Sequence, residues 1–169
     1  MHDKAHVAHE SRHDDIGAAT AVVLAVAFAL ALATGLAQAA PNSASPESAR
    51  QGGVALVRGD TGQAITHYTS ALADTSLPHD RRAMILNDRA VAYARIGKTK
   101  EAFDDFNAAV QLFPEYAALY NNRGNLLLAL GVLSEALKDF DRALVLAPGY
   151  AAAYNNRAGA RMRTSDTEG

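Results

Sequence analysis

The sequence contains no cysteine and no tryptophan, only 5 prolines, and a net charge of −2 over 169 residues. Without cysteine there is no disulfide framework, no thiolate-ligated zinc module, no thiol nucleophile and no lipidated N-terminal cysteine. The near balance of charge does not suit a protein whose main task is to neutralise nucleic-acid phosphates. Proline and glycine are too few for collagen or a long disordered tract. What remains is a chain of one-domain length, 49% apolar.

Those apolar residues crowd into one place near the start. Ala21 to Ala33 holds no polar side chain, and with Thr20, Thr34 and Gly35 the run extends from Ile16 to about Leu36. Ala37-Gln38-Ala39 then offers small residues at the first and third positions of a cleavage triplet. Residues 1–39 therefore read as a secretory signal cut after Ala39, with 40–45 as a linker. The n-region is poor, because Lys4 and Arg12 are outnumbered by Asp3, Glu10, Asp14 and Asp15. The competing reading is an uncleaved anchor over residues 18–36, long enough to span a bilayer. Both put the rest of the chain outside the cytoplasm, either periplasmic or secreted after cleavage or anchored at the inner membrane, although Arg50 and Arg58 soon after the run oppose that orientation; the third reading is an unusual cytoplasmic helix. His2, His6, His9 and His13 fall at helical spacings that could gather imidazoles on one face. A hydrophilic leader with no metal is the simpler expectation.

The remainder repeats itself. A shift of 34 residues brings Gly97 onto Gly131, Glu101-Ala102 onto Glu135-Ala136, Asp105-Phe106 onto Asp139-Phe140 and Pro114 onto Pro148. The same shift carries Tyr120-Asn121-Asn122-Arg123 onto Tyr154-Asn155-Asn156-Arg157. An earlier copy lies 38 residues back, with Gly59, Ala64, Tyr68 and Ala71 matching Gly97, Ala102, Phe106 and Ala109. The extra residues fit the connection from Asp74 to Arg82, where an insertion costs little.

Each copy reads as two helices. In the third they are Ala117 to Leu130 and Leu133 to Leu146. Gly131 sits where a helix end wants positive φ, and Pro148 stops the second helix. Small residues recur at Gly52, Ala90, Gly124 and Ala158 on first helices and at Ala64, Ala102 and Ala136 on second helices. A large ring (Tyr68, Phe106 or Phe140) follows four residues after each member of the second set, on the same face. One further helix, Ala151 to Met162, takes Arg161 where Leu127 faces inward, and reads as a cap. Arg157, Arg161 and Arg163 suit its C-terminus. The helical domain spans 46–163, with a disordered tail at 164–169.

This period, with Gly124, Ala136, Phe140, Ala143 and Pro148, resembles the tetratricopeptide repeat. The fold expected is all-α, a helix-turn-helix solenoid of three repeats plus a capping helix. The sequence departs from the family pattern at Leu86 and Gly52, where an aromatic is usual, and at Arg89, Arg123 and Arg157, where leucine is usual. With its alanine-rich leader the chain resembles small bacterial exported members of the family.

The resemblance implies a concave groove lined by first helices, with Asn87, Asp88, Asn121, Asn122, Asn125, Asn155 and Asn156 as the candidate protein-binding residues. Asparagine amides could grip the backbone of an extended peptide. They could equally bond the neighbouring helix and set the superhelical pitch. Members that clamp a C-terminal carboxylate use basic residues where this sequence has Ala49 and Gly53, or Ala118 and Ala152, so a chaperone-tail clamp is not expected. No catalytic or metal-binding residue is assigned and no cofactor is implied. Asp104 and Asp105 point apart on a helix, and Asp139 and Asp141 read as solvated charge. The expected function is a monomeric, non-catalytic interaction module for another protein or peptide, not nucleic acid. The alternative is a membrane-anchored assembly or regulatory subunit of an envelope complex.

Overall fold

The computed structural model describes residues 44–167. The leader at 1–39, its histidines His2, His6, His9 and His13, the 18–36 span and most of the 40–45 linker lie outside the described residues. Among those described, seven helices follow one another with no strand: α1 Ala44–Arg58, α2 Thr61–Leu72, α3 His79–Arg95, α4 Thr99–Leu112, α5 Ala117–Ala129, α6 Leu133–Leu146 and α7 Ala151–Thr167. None is long and apolar enough to cross a membrane.

The helices pair as the repeat demands, α1 with α2, α3 with α4 and α5 with α6. Each first helix also touches the next first helix, and no second helix packs on another second helix. First helices therefore form the inner wall of the solenoid and second helices the outer. Glycine makes each tight turn inside a repeat. Gly59, Gly97 and Gly131 sit at φ of 87°, 75° and 78°, which a side chain would resist. Their N–H groups donate to Leu56, Ala94 and Leu128, while the following residue's N–H donates to Ala55, Tyr93 and Leu127. This doubled cap satisfies carbonyls that the helix end leaves open.

Small residues and rings interlock as the sequence suggests. Ala64, Ala102 and Ala136 are fully buried, as is Phe140, with Tyr68 and Phe106 nearly so. Burying each ring contributes about 1.5–3 kcal/mol. Gly52 and Gly124 let the rings reach the backbone of the first helix. A Cβ at Gly52 would lie 2.6 Å from Tyr68 Cε1, and one at Gly124 2.7 Å from Phe140 Cε1. Ala158, the equivalent on α7, is exposed, and no second helix of the described residues packs on it.

Three boundaries differ from expectation. Helix α1 begins at Ala44, ahead of the boundary read at Pro46. In the long connection, α3 already begins at His79, because the Arg82 N–H donates to Pro78 O, and Arg82 itself donates through Nη1 to Leu72 O (3.1 Å) and through Nη2 to Asp74 O. Helix α7 runs through Thr167, so the first four residues of the expected tail are helical. No proline interrupts residues 151–167, and Thr164 Oγ1 bonds back to Ala160 O. Arg163 is then not in the last turn. It serves the neighbouring helix instead, donating to Leu128 O at 2.6 Å.

The arginines that depart from the usual leucine are structural. Arg89 Nε and Nη2 hold Asp105 at 2.7 and 2.8 Å, and Nη1 reaches Thr69 Oγ1 on the preceding second helix. Arg123 repeats this with Asp139 at 2.8 and 2.7 Å and with Asn107. Each guanidinium staples its helix to the second helices on both sides. The carboxylate bonds, first among the causes, raise the pKa of Arg89 and Arg123 further. Asp139 is therefore buried and paired, not solvated, whereas Asp141 is exposed. Asp104 and Asp105 do point apart: Asp104 pairs with Lys100 on the surface and Asp105 with Arg89 inside.

Candidate partner-docking groove

The asparagines on the inner wall form one directional chain of hydrogen bonds. Asn156 Nδ2 donates to Asn121 Oδ1 (2.9 Å), and Asn121 Nδ2 to Asn122 Oδ1 (3.3 Å). Asn122 Nδ2 donates to Asn87 Oδ1 (2.9 Å), and Asn87 Nδ2 to Asp88 Oδ1 (3.1 Å). Every donor points toward Asp88, so the amide dipoles reinforce one another and end on the carboxylate. Asn87 and Asn121 are buried, and with Asn122 and Asn156 they lock α3, α5 and α7 in register. Of the two roles open to the candidate asparagines, Asn87 and Asn121 take the one between neighbouring first helices. They are held between helices because the close approach of first helices leaves an inward amide no solvent. Asp88, Asn125 and Asn155 are exposed.

Asp88 is the acidic end of this chain. It reaches solvent, yet its carboxyl sits within the concave wall, and desolvation raises its pKa, with the Asn87 hydrogen bond opposing. No cation pairs with it among the ion pairs of the described residues. The nearly buried Tyr68 hydroxyl lies close enough to feel Asp88. Its pKa is pushed up to about 12, first by desolvation, then by Asp88, with Arg95 opposing.

Between α3 and α5 the wall opens into a cavity of about 540 Å³. Val91, Phe106 and Leu126 give it apolar walls, and Asn122, Asn125 and Arg95 supply polar edges. Leu126 is buried with Ala90, Ala102 and Phe106 and also lines the cavity, so it serves both purposes. The cavity has a local cause. Arg95 extends from α3 to α1 and donates to Leu56 O at 3.0 Å, and Arg163 extends likewise from α7 to α5. The residue in that register on α5 is Ala129. With no arm to cross from α5, Ala94 O accepts only backbone donors and the gap stays open. Sequence reasoning missed this, although Arg95, Ala129 and Arg163 at successive 34-residue steps carry the signal. Among the described residues no three His, Asp or Glu side chains gather as metal ligands would.

Comparison with known proteins agrees with this geometry. Tetratricopeptide-repeat family models match residues 50–117 and 117–150. No curated protein sequence matches the chain. Among solved structures, the chain is similar to the first tetratricopeptide domain of human RPAP3, at 30% identity and a TM-score of 0.69, covering 76% of this chain and 98% of that one. The first such domain of Spaghetti (RPAP3), bound to the HSP90 peptide SRMEEVD, is also 30% identical, with a TM-score of 0.66 over 72% of this chain and 93% of that one. The second domain of human RPAP3, in complex with the HSP70 peptide SGPTIEEVD, is 29% identical, with a TM-score of 0.65 over 72% and 98%.

Proposed function

Since the chain belongs to the tetratricopeptide-repeat family, a family of protein-interaction modules, we propose that it is a non-catalytic adaptor that holds a peptide or helix of another protein in its concave groove, outside the cytoplasm. The observation that carries the groove reading is the α3–α5 cavity, an apolar slot with amide edges placed where the arginine arm is missing. An apolar side chain seated there, with Asn122 and Asn125 bonding the neighbouring backbone, is a grip that tolerates many sequences. The solved relatives take acidic chaperone peptides. A different ligand class suits this groove, because Asp88 lies in its wall uncompensated and Ala49, Gly53, Ala118 and Ala152 supply no basic side chain. Location outside the cytoplasm rests on the apolar run and the Ala37-Gln38-Ala39 triplet.

The test is crosslinking and co-purification from source cells with parent and Ala129→Arg. The substitution supplies the absent arm and closes the cavity without disturbing the Asn chain. A partner held by the parent and released by a fully helical Ala129→Arg supports groove docking; a partner held equally by both refutes it. Intact mass of the purified protein checks the location. A mature chain starting at Ala40 supports export by cleavage, retention of residues 1–39 with extraction only by detergent indicates the anchor, and an uncleaved soluble chain rejects both.

A further inference from the structure

The inner wall carries one charge that its hydrogen-bond chain does not require. At 34-residue steps the register of Asp88 continues as Asn122 and Asn156. Both of those amides donate to the neighbouring first helix, Asn122 to Asn87 and Asn156 to Asn121. Asp88 only accepts, from Asn87 Nδ2 at 3.1 Å, and an asparagine oxygen in its place would accept the same bond. The carboxylate instead stands partly desolvated, which raises its pKa, and only the Asn87 bond opposes that rise. The cations nearest in register are committed elsewhere. Arg50, the equivalent on α1, holds Glu47 through Nε and Nη2 at 2.9 and 2.7 Å. Arg95, two turns along α3, spans to Leu56 O at 3.0 Å.

We infer that the groove selects a basic, extended peptide: a lysine or arginine of the partner pairs with Asp88 while an apolar side chain close to it in the peptide enters the α3–α5 cavity. The assignment rests on groove docking as proposed above and adds the charge and the pattern of the partner. Asp88 lies one turn before Val91, a wall of the cavity, so the two anchor points share a face of α3. Residues at that spacing have Cβ atoms about 5–6 Å apart. Alternate residues of an extended strand point to one side about 6.6 Å apart. A basic and an apolar residue with one residue between them therefore match the groove. The amide edges of Asn122 and Asn125 favour the extended form over a helix. An extended backbone has free N–H and C=O groups to offer them, whereas a helix bonds its own. An acidic partner would set a second anion against a carboxylate that is already desolvated.

The probe is an array of short peptides in a Gly/Ser background. Each carries one Leu or Phe and, at a varied spacing on either side, one Lys, Gln or Glu. The array is incubated with the full chain and with its Asp88→Asn, Asp88→Lys and Ala129→Arg variants. We expect the parent to retain Lys peptides with a single intervening residue. Fluorescence anisotropy on the best of them should show binding about tenfold weaker to Asp88→Asn. Asp88→Lys should prefer the Glu form of that same peptide, a reversal that loss of fold does not produce. Peptides held without preference among Lys, Gln and Glu, yet released by Ala129→Arg, would overturn the charge assignment and leave groove docking standing. Peptides held equally by parent and Ala129→Arg would refute groove docking itself. A preference of the parent for Glu, an array that retains nothing, or self-association of the chain that Asp88→Asn dissolves would each overturn the inference.

Discussion

Two glycine-to-alanine substitutions in first-helix positions should move stability in opposite directions. Gly124 and Gly159 both lie in helices, where alanine is favoured over glycine by about 1 kcal/mol. At Gly159 a Cβ meets nothing within 4 Å, so Gly159→Ala should realise that gain and raise the melting temperature by a few degrees. At Gly124 the Cβ would stand 2.7 Å from Phe140 Cε1, 3.0 Å from Cδ1 and 3.1 Å from Cζ. The ring is fully buried with Leu127, Ala136 and Ala160 in one cluster, so it cannot swing aside. Carbon atoms at their optimum sit about 3.5–4.0 Å apart, so ring or helix must retreat by roughly 1 Å. Overpacking of this kind costs about 1–3 kcal/mol, which outweighs the propensity gain. Gly124→Ala should therefore lose a net ~1 kcal/mol or more, read by urea denaturation followed by far-ultraviolet circular dichroism. Ala90 carries a methyl group at this register and packs in one buried cluster with Phe106, so the variant should remain folded. Combining Gly124→Ala with Phe140→Leu should cost less than the sum of the two, because the smaller side chain relieves the contact. A Gly124→Ala protein as stable as Gly159→Ala would refute the ring-on-backbone seat.

Further expectations concern charge. Arg123→Met should cost about 3 kcal/mol in chemical denaturation, because it strands the buried Asp139 carboxylate, whereas Asp139→Asn should cost less, since Arg123 keeps Asn107 and a path to solvent. Equal losses would mean the pair acts only as packing. Tyr68, with its folded pKa raised from 10.0 to about 12, holds its proton longer in the folded protein than in the unfolded chain. Its contribution is intact below pH 10 and is lost as pH rises toward 12, about 2–3 kcal/mol in all. Tyr68→Phe should flatten stability across that window, and an unchanged alkaline slope would show the hydroxyl is not desolvated. The raised Asp88 pKa acts with the same sign at lower pH. The folded protein favours the neutral carboxyl, so the penalty exists above its pKa and vanishes in acid. Asp88→Asn should raise the melting temperature at neutral pH and make no difference in acid.

What the sequence by itself determined is the architecture. Periodicity, the glycines at 59, 97 and 131, and the alternation of alanine with a ring are local or strictly repeated signals. They specify where helices stop and which faces meet, because helix geometry converts spacing directly into a shared face. The small-to-large fit of Gly124 with Phe140 was legible for the same reason. Only the tertiary structure decided what the polar residues do. An asparagine on a first helix reads alike whether it faces a peptide or a neighbouring amide. The distance between successive first helices settles the matter for Asn87 and Asn121, and no spacing within one helix contains that distance. Asp139 looked like surface charge because its partner Arg123 lies on the other helix of the pair, 16 residues away. That recurrence between Arg89 and Asp105 was present in the sequence, but only the folded pair shows it to be a staple. The cavity at Ala129 arises in the same way, where one repeat lacks the arm that its neighbours have, and the gap exists only once the repeats are stacked.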